Sequence, residues 1–462
     1  MAVSACSLAI AFSGTPAVAN PLDAPLSPQA DGAEVQDLGF KRTYTIHADS
    51  AWLADGRVLS PAYITLTKGV ITRISSREPQ AQKSLLGSGP KPKIIKVDGT
   101  LAAGVVDAWS SVLPAEIRLD RRPLPFSKVA DDLPIQVVGA DPALAAAVAA
   151  QRSAGIAATY IGRADGNLMR GLGVPVGFSA HDLPYAGGAE FLDLMVAGDA
   201  LGVQRGITDL NNLFSEAVGY RDSVDDYQEE LEKYEESLKK YQEELDKFIK
   251  EQKKEEGKEG DSKADGEDDK EKKEKKRPKR PQRPSPPVST TARDMILDAI
   301  DGKISVRVQV ESAAGIRAAI ALQEEHNLNM MLVGCDEAVQ CRFELAAAGI
   351  GVVLDVNRVH NKANGQRFID QFQQLLDAEV DVALSSGGRN LGPMLLAYAG
   401  EMIAQGADAD AVWAALTSTP ARMLGMASNF GQINRGCSGS MILFGGNSPF
   451  DASALFQAHQ PK

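Results

Sequence analysis

Between residues 43 and 77 apolar and polar positions alternate, in Thr43-Tyr44-Thr45-Ile46-His47, Ala62-Tyr63-Ile64-Thr65-Leu66 and Val70-Ile71-Thr72-Arg73-Ile74. A period of two is that of half-buried strands, and Asp55-Gly56 and Lys68-Gly69 stand where hairpins turn. From Ala103 the pattern changes to short apolar runs. These are Gly104–Asp107, Ile156–Ile161, Ile304–Val308, Met330–Val333, Gly351–Leu354 and Val380–Leu384. Ala-rich helical stretches, such as Ala313–Glu325 and Glu337–Ala348, lie between several of them. Repeated strand-helix units predict a parallel sheet with helices outside it, and about eight of them close a barrel. Gly431–Phe444 returns to alternating strand character. The expected fold is therefore α/β, a (β/α)8 TIM-like barrel with a small composite β-sandwich built from both chain ends.

A third pattern interrupts the barrel. Tyr227, Leu231, Tyr234, Leu238, Tyr241, Leu245 and Phe248 follow one another at steps of 4, 3, 4, 3, 4 and 3. That is heptad spacing, with Glu and Lys on the other faces. About three heptads is short for an autonomous coiled coil. The 225–250 helix is therefore expected to dock on its own barrel or on another protein rather than pair with itself. Residues 251–287 are Lys/Glu/Asp-rich and then Pro-rich, a composition expected to stay disordered. Within them Lys270–Arg283 is strongly basic, which reads as a solvated linker first and as a contact for an acidic surface second.

These patterns divide the 462 residues into 1–19, 20–42, 43–102, 103–220, 221–287, 288–425 and 426–462. In order, they are a signal peptide, a linker, the first part of the sandwich, half of the barrel, the charged insert, the other half, and the closing part of the sandwich. Residues 7–12 form a small apolar stretch, and Ala17-Val18-Ala19 is an A-x-A cleavage site. An exported protein cleaved after Ala19 is expected, and the missing basic n-region raises the expectation of a start upstream of Met1. Val3-Ser4-Ala5-Cys6 resembles a lipoprotein box but precedes the apolar stretch.

Charge sharpens this division. Of 49 basic and 61 acidic residues, 19 and 22 fall within 221–287, and the body outside it is acidic overall and sparsely charged. That balance argues against nucleic-acid binding, and no apolar run is long enough to form a transmembrane segment. The cysteines left after cleavage, Cys335, Cys341 and Cys437, are odd in number and make no disulfide framework. Histidine is scarce: His47, His181, His326, His360 and His459, too far apart for any local two-histidine metal motif.

Several segments resemble the amidohydrolase superfamily, on its imidazolonepropionase-like side. Ala51–Gly56 and Gly69–Ile74 look like its opening sandwich, and Val97–Ala108 like its entry into the first barrel strand. Thr417-Ser418-Thr419-Pro420-Ala421-Arg422-Met423-Leu424-Gly425 is similar to its TxNPAxxLG helix, with Thr419 for Asn. Gly431-Gln432-Ile433 with Arg435-Gly436 is similar to its closing strand. The similarity spans about 43–220 and 290–450.

That resemblance implies hydrolysis of C–N or similar bonds by a metal-activated water, with histidine and aspartate ligands at the strand ends. Here those positions hold Trp109, Ser111, Gln309, Gly334 and Gly387, and no aspartate or histidine lies between Ala383 and Pro393. Indole, hydroxyl and amide groups are poor ligands for a divalent cation. Substitute ligands would have to come from Asp107, Asp355, Asp381, His181 or Cys335. Of these, Asp107 and Asp381 read first as buried, hydrogen-bonded residues, His181 as a loop residue and Cys335 as a small core residue.

The expectation is thus an amidohydrolase-like fold without metal or other cofactor, catalytically impaired: a pseudoenzyme. It would act as the non-catalytic partner of an active paralogue or another protein, or bind a small polar ligand through Trp109, Gln309 and Arg389. Filling by Trp109 of the space left by the metal is the plainer reading of that residue. The alternative is an active hydrolase of C–N bonds in cyclic amide-type substrates, with a rearranged site.

Overall fold

The computed structural model describes residues 43–54, 56–79, 83–84, 87–88, 93–110, 150–162, 168–178, 184–186, 189–259, 277–360, 365–388, 392–445, 450 and 456–459. The signal peptide and linker, and the candidate residues Ser111, His181 and Arg389, lie outside these.

Two sheets make the sandwich. One orders Val70–Ser75, Ala62–Thr67, Thr43–Ala48 and Lys93–Lys96; the other orders Phe456–His459, Met441–Phe444, Thr100–Ala103, Ser50–Trp52 and Val58–Leu59. Met441–Phe444 runs antiparallel to Thr100–Ala103, so the two ends of the chain share a sheet. Ile46, Ile64, Leu66 and Ile71 from one sheet and Leu101, Met441 and Leu443 from the other form a single buried cluster. The predicted strand over 431–444 is confined to Met441–Phe444. The residues before it are a loop tied to the opposite sheet, with Ile71 N–H donating to the Cys437 carbonyl at 2.8 Å and Gly439 N–H to that of Gly69 at 2.8 Å.

The barrel strands are β1 (Val105–Asp107), β2 (Ile156–Ile161), β3 (Met169–Phe178), β4 (Phe191–Val196), β5 (Ser305–Val310), β6 (Met330–Gly334), β7 (Gly351–Asp355) and β8 (Val382–Ser385), hydrogen-bonded in that order. Six coincide with the predicted apolar runs. The sheet departs from the expected all-parallel pattern at β3, which runs antiparallel to both neighbours. Pro175 is tolerated inside β3 because the strand changes partner there: through Gly173 it pairs with β4, and from Val176 with Pro184–Ala186. The wall is nearly closed. Where β8 meets β1, Ser386 joins the Asp107 carboxylate by its backbone N–H (3.1 Å) and its hydroxyl (2.5 Å), and Gly388 N–H donates to the Trp109 carbonyl at 2.7 Å.

Helices α3 (Ala313–His326), α4 (Arg342–Ala348), α5 (Gly365–Asp377), α6 (Leu395–Ala404), α7 (Ala409–Leu416) and α8 (Ser418–Met423) accompany the second half, preceded in the chain by α1 (Ala200–Glu259) and α2 (Thr291–Ile300). Local chemistry sets their ends. Ser312 accepts from Gly315 N–H at the start of α3, whose last turn passes into left-handed Asn327. Asp408 caps α7 through Ala411 N–H at 2.8 Å. Arg422 of the TxNPAxxLG-like segment forms an ion pair with Asp381. Asp381 is therefore not buried inside the barrel as expected; it stands half-exposed just before β8.

Residues 208–298 form a separate compact unit, wider than the 221–287 insert read from composition. Asp199 accepts from Gly202 N–H as α1 opens. The helix is 60 residues long and continues past Lys250 to Glu259, so the first nine residues of the stretch expected to be disordered are helical. Leu210, Phe214, Ala217 and Ile296 are the buried core of this unit.

Candidate functional site

In a barrel of this kind the reactive groups stand at the C-terminal ends of the strands. Here β1 delivers Asp107 and then Trp109, β5 Gln309, β6 Gly334, β7 Asp355, and β8 Ser386, Gly387 and Gly388. Because β3 is reversed, it is its beginning that lies at this rim, and it brings Arg170. The Arg170 guanidinium donates to Gln309 Oε1 at 2.7 Å. Arg170 was not foreseen, because its position depends on the direction of a strand rich in glycine.

Trp109 fills the space between β6 and β8. A β-carbon built on Gly388 would lie 2.5 Å from the indole Nε1, and one on Gly334 3.8 Å from the edge of the ring. The side chain also packs against the apolar cluster of Val106, Tyr160, Met331, Val333, Val353 and Ala383. Asp355 is turned toward Gly387, where a β-carbon would fall 2.2 Å from its carboxyl carbon. Asn357 secures it by its backbone N–H (3.0 Å) and its side-chain amide (2.5 Å), and the same amide donates to the Ser386 carbonyl at 2.9 Å.

Asp107 is wholly buried and, among the described residues, accepts from neutral donors, Ser386 and the Trp109 N–H at 3.3 Å. Burial raises its pKa above the ordinary carboxylate value; the Ser386 bonds oppose that shift and the nearby Asp355 adds to it.

Below the rim lies a second polar layer. Asp193 of β4 and Arg307 of β5 are register partners, joined at 3.1 Å, and the guanidinium sits 4.5 Å from the centre of the Tyr160 ring. All three are buried. A β-carbon on Gly173 would fall 1.9 Å from the Tyr160 hydroxyl, and one on Gly162 2.3 Å from Asp193 Oδ2. Those glycines leave the space that Tyr160 and Asp193 occupy.

Whether a divalent cation fits can be judged from the donors. Of the ligand positions implied by the resemblance, Trp109, Gln309, Gly334 and Gly387 come together at the rim. The one oxygen donor among their side chains, Gln309 Oε1, already accepts from a guanidinium, which would repel a metal. An aspartate at Gly387 would collide with Asp355. Among the described residues no group of three or more His, Cys, Asp or Glu side chains is placed to hold an ion. His47 is stacked on Tyr63 in the sandwich, and His326 ends α3. Cys335 and Cys341 are buried free thiols, and burial raises both pKa values. Among the described residues, those at the rim do not fit the metal centre.

The fold is amidohydrolase-like, a TIM-like barrel with a composite sandwich. An amidohydrolase from Thermotoga maritima MSB8 is similar to the chain with a TM-score of 0.59 and 17% identity, covering 90% of this chain and 97% of its own. Weaker likenesses include a prolidase complexed with N-methylphosphonate-L-proline (TM-score 0.48, 12% identity, 88% and 94% coverage) and an adenosine deaminase from Xanthomonas campestris with bound zinc (0.40, 13%, 87% and 84%). No family model matches the sequence, and no curated protein matches it. No helix among the described residues is long and apolar enough to cross a membrane.

Proposed function

We propose that this protein is a non-catalytic member of the amidohydrolase-like fold, working as a binding partner of another protein rather than as a hydrolase. The observation that carries the reading is the occupancy of the barrel rim. Trp109 fills the space against Gly334 and Gly388, Arg170 claims the amide oxygen of Gln309, and Asp355 lies where an added carboxylate would have to stand. The buried Ser386 hydroxyl donates to the Asp107 carboxylate, which reads as part of the barrel's closure. The Ala17-Val18-Ala19 signal supports an exported protein, which would meet its partner outside the cytoplasm.

The test is the metal content of the mature protein, purified folded after incubation with zinc and with manganese. Less than about a tenth of an equivalent supports the proposal, since an intact catalytic site with three protein ligands would retain about one. Stoichiometric metal, or turnover of a cyclic amide that follows metal content, overturns it.

A further inference from the structure

We propose that the Tyr/Leu stripe of α1 has its partner in the same chain: the returning proline segment 278–287, which lies along it as a polyproline-II strand with one proline to each heptad. Three observations within the 208–298 unit converge.

The first is a matched periodicity of burial. Along α1, Tyr227, Leu231, Tyr234, Leu238, Tyr241, Leu245 and Phe248 are half-buried, and every residue between them is exposed. Along the non-helical stretch 277–288, Pro278, Pro281, Pro284 and Pro287 are half-buried, and every residue between them is exposed. Seven is the repeat of one helix face; three is the repeat of one polyproline-II face.

The second is length. Tyr227, Tyr234, Tyr241 and Phe248 are four aromatic positions about 10.5 Å apart along an α-helix. The four prolines are about 9.3 Å apart along a polyproline-II helix. Four rungs meet four rungs, with a mismatch of about 1 Å per step.

The third is direction. Arg293 of α2 reaches back to α1, 3.8 Å from Glu216 and 5.8 Å from the centre of the Tyr220 ring, and it also donates to the Val288 carbonyl at 3.1 Å. That anchor fixes the end of the proline segment near the Tyr220 level. Running backward from it, Pro287 meets Tyr227, Pro284 meets Tyr234, Pro281 meets Tyr241 and Pro278 meets Phe248. Proline rings on aromatic faces exclude water, and a chain already restricted at φ loses less entropy on docking than an ordinary coil.

The stripe is then neither a dimer seam nor an open docking face. What the arm offers to other molecules is its charged exterior, where the exposed Arg277, Arg280 and Arg283 recur at every third position. The inference does not depend on the function proposed above.

Hydrogen exchange on the full chain tests it. Amides of 227–248 are expected to be protected, and changing Pro278, Pro281, Pro284 and Pro287 together to serine should speed their exchange at least tenfold without altering barrel amides. Pro286→Ser, on the exposed side, should leave exchange unchanged and controls for proline loss as such. A Tyr241→Cys/Pro281→Cys pair should oxidise to an intramolecular disulfide. Unchanged protection in the fourfold variant overturns the proposal. So does protection that grows with protein concentration, which would make a second copy the occupant, or crosslinking only between chains.

Discussion

The barrel buries carboxylates at two heights, and it treats them differently. Asp193, at mid-height, faces a cation in register on the next strand, with an aromatic face beneath that cation. Asp107, at the rim, is held by a hydroxyl and two backbone N–H groups and, among the described residues, by no cation. Burial raises the pKa of both, and among the described residues a nearby positive charge, Arg307, opposes it at Asp193. The first arrangement ties two neighbouring strands together. The second closes the wall between the last strand and the first, where no backbone ladder does so. At the rim, then, the Asp107 carboxylate serves to join the last strand to the first.

The largest expected effect comes from breaking the mid-height pair. Arg307→Met strands the Asp193 charge and should cost about 3–5 kcal/mol, read as a drop in the denaturation midpoint; a loss under about 1 kcal/mol would mean water reaches this layer. Next is Trp109→Ala, which removes the indole at the rim and should cost about 3 kcal/mol or more by cavity formation. If this variant gained stoichiometric zinc, the tryptophan would be masking a site rather than replacing one. Gly173→Ala forces a methyl group onto the Tyr160 hydroxyl and should cost about 1–3 kcal/mol by overpacking. Combining it with Tyr160→Phe should restore part of that loss, since the nearer of the two colliding atoms is then gone and the ring carbon at 2.5 Å remains.

Asp107→Asn is the mildest change and the one that best separates the two heights. With its folded pKa above the unfolded value, the folded state binds more protons between the two. The stability this group contributes is therefore full at acid pH and lost as pH rises through the folded value. The wild type should lose ground against the asparagine variant as pH climbs from the ordinary aspartate range toward neutrality. Parallel melting curves across that range would show that Asp107 titrates as a solvated carboxyl.

Most of the barrel was legible because its strands are apolar runs, and those runs need no knowledge of their neighbours. β3 was not, since Gly171, Gly173, Pro175 and Gly177 are residues that a strand interior ordinarily avoids. Their reason is tertiary: Gly173 clears room for Tyr160, and Pro175 stands where the strand exchanges partners. β4 was missed with it, its apolar run broken by Asp193, whose partner Arg307 lies 114 residues away. Trp109, Gln309, Gly334 and Gly387 were placed at the strand ends from the resemblance alone, since each follows closely on a legible apolar run. Arg170 was not, because only the reversed strand brings it to the rim. The charged insert misled in another way. Its composition argues for disorder, yet the first nine residues of that stretch continue the helix to Glu259.

The reversal of β3 also bears on the order in which the chain can assemble. β2, β3 and β4 form a meander within residues 156–196, each strand meeting the next across a short stretch of chain. The next pairing, β4 with β5, must bring together residues on either side of the whole 208–298 unit. Local pairings form faster than those that close long loops, and antiparallel neighbours need no crossover helix between them. This corner should acquire amide protection first in a refolding time course, giving β5 a preformed edge on which to dock.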